Sequence, residues 1–399
     1  MRIAMIDPSL FTPSYDQALA CALVEVGHEV TLYGRRPGPS DANPPGVPLA
    51  DIFYRVADSR AAHTLPRQAR LALKGVDHLW SMGRLLRRLR RSPPDVIHFQ
   101  WVALPMVDRR MLAAFRRLGP LILTMHDTNP FNGNPSSRLQ ALGMAGCIAQ
   151  FDKVIVHTVQ GRDRLAALGV DADRLAIVPH GPVWPALPPP PADPMEGVMT
   201  FTLFGKIKPY KGADILIEAF ARLPAALRLQ SRVRIVGKSY MDLAPLHALA
   251  QTLGVASQVE IEDRFVADDE ITGLFGPGVI AAFPYREIDS SGVLPQALAQ
   301  GRPVIAFAIG GFAETLIDGR HGHLVAAGDG AGFTAGMEHL VADRGFAAAC
   351  AGHARALSDQ GVTWDAIARQ TAALYRLAGA GSDAAAPAPA HARSAALAG

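Results

Sequence analysis

Two α/β domains, each a doubly wound parallel sheet and separated by a cleft, are what this sequence predicts, on three observations. The chain has 399 residues, more than one ordinary domain uses and enough for two that each bury a core. Short apolar runs alternate with amphipathic helical stretches throughout, the pattern of parallel strands covered by helices on both faces. Near the middle, Trp184-Pro185-Ala186-Leu187-Pro188-Pro189-Pro190-Pro191-Ala192-Asp193-Pro194 interrupts the pattern. So much proline suits neither a helix nor a central strand and behaves as a semi-rigid spacer. The expected layout is a first domain over 1–184, a linker over 185–194 and a second domain over 195–362. A C-terminal helix over 363–378 is expected to cross back to the first domain. A disordered tail is expected over 379–399, where Ala384-Ala385-Ala386-Pro387-Ala388-Pro389-Ala390 is of low complexity.

In the first half, strands are expected at Arg2–Ile6, Glu29–Tyr33, Val96–Phe99, Leu121–Thr124, Lys153–His157 and Ala176–Val178. The helix after the first strand is expected to start at Ser14, with Gln17 completing a capping box, and to stop at Gly27. In the second half the strands are Thr200–Phe204, Arg232–Val236, Val259–Ile261, Val279–Phe283 and Pro303–Ala306. Between them fall helices near Ala213–Arg222, Leu243–Gly254, Asp269–Phe275 and Leu294–Gln300. Two Rossmann-like domains joined by a hinge bring two sets of strand carboxyl ends to one crevice, where such sheets bind ligands. Neither first strand is followed by Gly-x-Gly-x-x-Gly, which argues against a dehydrogenase.

Composition narrows the class. Charged residues make up 19% and mean hydropathy is +0.14, which excludes a disordered polyelectrolyte. No apolar run reaches the roughly 18 to 20 residues that span a bilayer. Met1-Arg2-Ile3-Ala4-Met5-Ile6-Asp7-Pro8 reads as a buried strand rather than a secretory signal. Cys21, Cys147 and Cys350 lie far apart in apolar surroundings and read as free buried thiols of a cytoplasmic protein, with no disulfide framework or metal cluster. Residues 1–184 hold 22 Lys and Arg against 15 Asp and Glu, and residues 185–399 hold 17 against 21. Arg84–Arg91 alone has five arginines in eight positions. That stretch is either a solvated helix face or a contact with anionic lipid, where each basic side chain adds about 1 kcal/mol. Nucleic acid is not expected, because the basic excess is local and lacks an aromatic-rich basic face.

Two constellations carry chemistry. Phe204-Gly205-Lys206-Ile207-Lys208-Pro209-Tyr210-Lys211-Gly212 follows the first strand of the second half and opens a helix. Gly205 lets backbone approach a ligand, and Lys206 and Lys211 can converge on a phosphate already favoured by the helix dipole. An ordinary basic turn in solvent would carry the same residues. Further on, Glu287-Ile288-Asp289-Ser290-Ser291-Gly292-Val293 runs from a strand end into a helix start. Its amides would form a second anion cradle, although a plain Ser N-cap has the same residues. Two cradles on neighbouring strands suit a diphosphate.

Gly-Lys-x4-Lys-Gly, the acidic–Ser–Gly helix start and Ala297-Leu298-Ala299-Gln300-Gly301-Arg302-Pro303-Val304-Ile305 together resemble the retaining GT-B glycosyltransferases of family 4, the group 1 glycosyl transferases. Gly27-His28-Glu29-Val30, His126-Asp127 with Pro130, Val178-Pro179-His180-Gly181 and Gly310-Gly311-Phe312-Ala313-Glu314 fit the same pattern, over roughly residues 1–378. The resemblance implies a nucleotide-sugar donor held by the second domain and a glycan or lipid-linked acceptor held mainly by the first. It places Lys206 and Lys211 on the donor phosphates, Gly205 against the nucleotide, and Ser290, Ser291, Gly292 and Val293 around the diphosphate and sugar. Glu287 or Asp289 takes the place of the first family glutamate, Asp289 being preferred because it directly precedes the phosphate loop. Gln296 stands where the second glutamate grips the ribose, and the residue eight before it is Ile288. A glutamine accepts a ribose hydroxyl without the help of charge. His126 is either a structural histidine or a contact of the transferring sugar. Tyr15, Asp16 and Asp127 are assigned to the acceptor side.

The implied chemistry is front-face attack with retention, in the service of cell-surface or exported polysaccharide, and the arginine stretch would bring a lipid-linked acceptor to the first domain. Neither a cofactor nor a divalent metal is expected, since the lysines would take the charge of the leaving diphosphate. A nucleotide-sugar epimerase or hydrolase and a weakly catalytic donor-binding protein are the competing readings.

Overall fold

The computed structural model describes residues 1–38, 47–128, 143–182, 194–267 and 270–384. The first half runs β1 (Arg2–Ile6), α1 (Pro13–Glu25), β2 (Glu29–Arg35), β3 (Leu49–Phe53), α2 (Arg60–His63), α3 (Arg67–Arg91) and β4 (Val96–Phe99). It continues with α4 (Pro105–Arg116), β5 (Leu121–Met125), α5 (Met144–Ile148), β6 (Lys153–Val156), α6 (Val159–Ala167) and β7 (Leu175–Ile177). The strands form one parallel sheet in the order β3-β2-β1-β4-β5-β6-β7.

The second half runs β8 (Met199–Phe204), α7 (Ala213–Ala221), α8 (Ala225–Arg228), β9 (Ser231–Gly237), α9 (Ala244–Thr252) and β10 (Val259–Asp263). Then come α10 (Ile271–Leu274), β11 (Val279–Phe283), α11 (Val293–Ala299), β12 (Val304–Phe307), α12 (Gly310–Thr315) and β13 (Gly322–Val325). They form a second parallel sheet, β10-β9-β8-β11-β12-β13. Last are α13 (Gly330–Ala342), α14 (Arg344–Asp359) and α15 (Trp364–Ala384). Both sheets reverse direction beside their first strand, between β1 and β4 and between β8 and β11, and that reversal opens the ligand crevice of doubly wound sheets.

The central strands β4, β5, β8 and β11 are buried along their whole length, as helices on both faces require. Strands β3 and β13, unexpected from the sequence, are sheet edges with partly exposed side chains, so neither presents a continuous apolar run.

Helix α1 begins at Pro13 rather than Ser14, and no side chain caps it. Proline at the first position sets the start, while the Thr12 hydroxyl bonds Asp16 and Trp101 instead of a helix amide. Gln17, expected to close a capping box, is buried. The expected stop at Gly27 lies two residues past the helix end, in left-handed backbone at φ +89°. Cys147 and Cys350 are buried, but Cys21 is only partly so.

Helix α15 packs on α1: Ile367, Ala368, Ala372, Tyr375 and Ala378 share one apolar cluster with Leu19 and Leu23. It runs to Ala384, so residues 379–384 are helical where a tail was expected. The rest of that tail, most of the proline-rich linker and Pro130 lie outside the described residues. At the linker's last residue, Pro194, the chain is tied to the second domain: the buried Arg302 guanidinium donates to the carbonyls of Pro194, Gly276 and Gln300 at 2.8 to 2.9 Å. Among the described residues, no helix is long and apolar enough to cross a membrane.

Candidate functional site

At the carboxyl end of β8 the backbone turns back through Gly205, at φ +104°. A Cβ on Gly205 would lie 2.8 Å from Lys211 Nζ and 3.7 Å from Val293 Cγ2, so the lysine loop and the α11 start meet at this glycine. Gly237, at the end of β9, completes the corner, since a Cβ there would sit 2.1 Å from the Gly205 carbonyl oxygen. Lys211 is 6% exposed. Its ammonium donates to the Phe204 carbonyl at 3.0 Å and stands 5.0 Å over the Tyr285 ring. Burial, with Lys206 and Lys208 as like-charged neighbours, pushes it down to about 7. Lys206 is exposed at the rim of the corner, close enough for its charge to act on Lys211. Gly205, Lys211 and Val293 thus meet at one corner, and the charge of Lys206 reaches it.

The α11 start is tight: the Val293 amide donates to Ser291 Oγ at 3.3 Å. Ser290, Ser291 and Gly292 are partly exposed there. Ser290 and Ser291 also border a cavity of about 250 Å³ between the two halves, with His157, His180, Leu294 and Val362 among its walls. Gln296 is 1% exposed and its Nε2 has no protein partner, so a ligand hydroxyl that reached it would meet an unsatisfied donor.

The two acidic candidates are not interchangeable. Asp289 is buried; its carboxylate accepts from Arg164 at 3.1 Å and from the Thr128 amide, both across the cleft. Its oxygens are therefore engaged by the first domain rather than open to a sugar. Glu287 is half exposed, with an oxygen 3.6 Å from the same Arg164 nitrogen. It lines a basin of about 490 Å³ together with Lys208, Tyr210, Asp214 and Arg286.

On the first domain, His126 follows β5 and is partly exposed. Its Nδ1 lies 3.1 Å from His157 Nε2, and its Nε2 lies 3.1 Å from Gln100 Oε1. His157 Nδ1 is 2.9 Å from the Val178 carbonyl, which can only accept. His157 therefore carries its proton on Nδ1 and receives one from His126 Nδ1. Burial and three histidine neighbours hold His126 well below its ordinary value, so the ring is neutral. A neutral ring with its proton on Nδ1 is satisfied once the Gln100 amide turns its NH2 toward Nε2. Both ring nitrogens are then partnered inside the domain.

Tyr15 and Asp16 require correction. Tyr15 is 3% and Asp16 0% exposed, so neither lines an acceptor pocket. The Tyr15 ring packs against His126, His157, His180 and Trp364, with centroids 4.7 to 5.3 Å apart. Asp16 pairs with Asp7, whose carboxylate also accepts the amides of Ser9, Phe11 and Thr12. Burial raises both carboxyls, Asp16 the more, because the Asp7 charge adds to it. Asp127 is partly exposed and faces the lysine loop, where its charge opposes the effect of burial on Lys208. Arg164, His157 and His180 were not expected as site residues. Arg164 carries no local signal, since an arginine within a helix is ordinary; the two histidines stand at strand ends beside a cleft. Among the described residues, no group of three or more His, Cys, Asp or Glu could hold a metal ion.

Paired parallel sheets with a cationic corner and a serine-glycine helix start at their cleft define a GT-B glycosyltransferase. Two family models match in tandem, Glycosyltransferase Family 4 over residues 16–182 and Glycosyl transferases group 1 over residues 199–343. The chain belongs to the GT-B glycosyltransferases of family 4. It is 27% identical over 405 residues to a D-inositol 3-phosphate glycosyltransferase of Streptomyces coelicolor, covering 91% of this chain and 86% of that one. Sucrose-phosphate synthase of Thermosynechococcus elongatus superposes with a TM-score of 0.74 at 18% identity, over 96% of this chain and 100% of the other. Alr3699/HepE of Anabaena, in complex with UDP and glucose, gives 0.71 at 17% identity, over 94% and 100%.

Proposed function

We propose that this protein is a retaining hexosyltransferase that moves a sugar from a nucleotide-diphosphate donor to a glycan or lipid-linked acceptor in cell-surface polysaccharide synthesis. The observation that carries the reading is the corner at the end of β8, where Lys211 Nζ, Gly205 and Val293 converge beside Lys206. As the sugar–phosphate bond breaks, negative charge grows on the departing diphosphate. The two ammonium groups hold that charge more strongly in the transition state than before it. A leaving phosphate oxygen takes the acceptor's proton on the face it vacates, so no protein nucleophile is needed and no divalent metal is required. His126, neutral and held at both nitrogens, forms a fixed wall at the opposite side of the cleft.

The acceptor named in the curated relatives, D-inositol 3-phosphate, is the first to test. The cytoplasmic face of an anionic membrane is the proposed location. Helical spacing puts Trp80, Arg84, Arg87 and Arg91 on one stripe of α3, and Trp80 is 65% exposed. The deciding experiment is a thermal-shift screen with UDP-, GDP- and ADP-sugars, followed by NMR of the product's anomeric carbon in excess chelator. A stabilising donor, transfer to an acceptor and a retained configuration support the reading. Inversion, or activity restored only by magnesium or manganese, refutes its mechanism. Donor turnover without any acceptor would favour a hydrolase, and binding without turnover the donor-binding reading that Ile288 and Gln296 motivate.

A further inference from the structure

The turn proposed to hold the diphosphate is anchored by the other domain. Asp289, 4% exposed, directly precedes it, and its two carboxylate oxygens are taken by Arg164 of α6 at 3.1 Å and by the Thr128 amide. The same Arg164 nitrogen donates to Thr128 Oγ1 at 3.2 Å and lies 3.6 Å from Glu287. Behind this pair, the Gly311 amide donates to the Asp289 carbonyl at 2.7 Å. A Cβ on Gly310 would stand 2.1 Å from the Ile288 carbonyl oxygen, so α12 and the 287–289 segment fit as one body. From that body Glu314 reaches the first turn of α6 and accepts the amides of Val159 at 2.8 Å and Gln160 at 2.9 Å. The segment before the diphosphate turn is thus fastened to α6 directly through Arg164 and, by way of α12, through Glu314 at the helix's first turn.

A carboxylate this deeply buried is tolerated only while it is paired, and removing its partner orphans a charge. Both partners of Asp289 belong to the first domain, so they are present only when the cleft is closed. We infer that Arg164 is a positioning residue. Holding Asp289 from across the cleft, it fixes the Ser290–Gly292 turn in its diphosphate-binding form and makes that form conditional on domain closure. The inference rests on the reading of this turn as a donor-phosphate site. An ion pair that merely stabilises the closed arrangement is the alternative, and it predicts different measurements.

The test uses the full chain and whichever of UDP, GDP and ADP binds the wild type. Arg164→Met is expected to weaken that nucleotide at least tenfold by calorimetry. It should also abolish nucleotide-dependent protection of the 287–293 amides in hydrogen exchange. Arg164→Lys should recover part of both effects, and Arg164→Met with Asp289→Asn should bind no worse than Arg164→Met alone. A lowered melting temperature with unchanged nucleotide affinity and protection would mean that the pair is structural only, and would overturn the inference. Should Arg164→Met not fold, Asp289→Asn carries the same readings, because it relieves the buried charge instead of orphaning it. Lys211→Ala keeps the two levels apart: if it too leaves nucleotide binding intact, the donor site itself is misplaced. If Lys211→Ala abolishes binding while the Arg164 and Asp289 variants do not alter it, only the positioning role falls.

Discussion

In the proposed donor site, Lys211 would link protonation to ligand binding. In the free protein its ammonium is pushed down to about 7, and a diphosphate beside it would raise it again. Below pH 7 the group is charged with or without ligand, so affinity is flat. Above pH 7 binding must take up a proton, and nucleotide affinity should fall by up to about tenfold per pH unit. Calorimetry in buffers of different ionisation heat should register that uptake at pH 8, and Lys211→Arg, charged throughout, should abolish it. Lys211→Ala should cost about 1.5–3 kcal/mol of nucleotide affinity at pH 7, the range for a charge-assisted contact. The buried Asp7 and Asp16 carboxyls make a linkage of the same sign with folding: both are raised, so the native state keeps protons that the unfolded chain loses. Stability should therefore fall as pH rises above the ordinary aspartate value of 3.8. Asp16→Asn, which mimics the protonated form, should show a flatter melting temperature between pH 5 and 8 than the wild type. The meeting of Lys211 with Gly205 was legible because it follows from spacing across a strand-to-helix turn. Tyr15 and Asp16 were misread because their burial depends on Asp7, three histidines and Trp364, most of them far away in the chain.

Among the elements, the segment from Pro209 to Gly212 sets the lysine geometry. Gly212 sits at φ +66°, and a Cβ there would lie 2.0 Å from the Pro284 carbonyl oxygen. Gly212→Ala should therefore cost more stability, by denaturant titration, than the roughly 1–3 kcal/mol of strained left-handed backbone alone, because the Pro284 carbonyl must also move. It should also weaken nucleotide binding, because the displaced backbone carries Lys211. The strands expected from apolar runs are all present, within a residue or two at their ends. The missed ones, β3 and β13, are sheet edges, where partial exposure breaks the run. Helix starts were less legible, because a hydroxyl such as that of Thr12 takes whichever partner the tertiary fold offers.

The whole molecule is electrically lopsided, its basic excess lying in residues 1–184. Arg55 and Arg88, with Arg84, Arg87 and Arg91 of the stripe that carries Trp80, line one basin of about 410 Å³ on the first domain. In a pelleting assay, vesicles of anionic lipid should retain the protein at low salt, and neutral vesicles should not. Trp80→Ala with Arg87→Glu and Arg91→Glu should release it without altering its melting temperature; pelleting that survives these changes would remove the membrane reading. That there are two parallel-sheet domains was legible from chain length and from the alternation of apolar runs with amphipathic stretches. The contacts across the cleft were not, because Arg164, Asp289 and Glu314 meet only after both sheets have formed.

One consequence of helix α15 concerns biosynthesis. The Tyr375 hydroxyl shares a 2.7 Å hydrogen bond with His98 Nδ1 in the first sheet, 277 positions earlier, and its apolar neighbours cover α1. As the polypeptide emerges from the ribosome, the domain translated first must wait with that face bare until the domain translated second has been made. The nascent chain is then most in need of chaperone shelter while its later half is still being read.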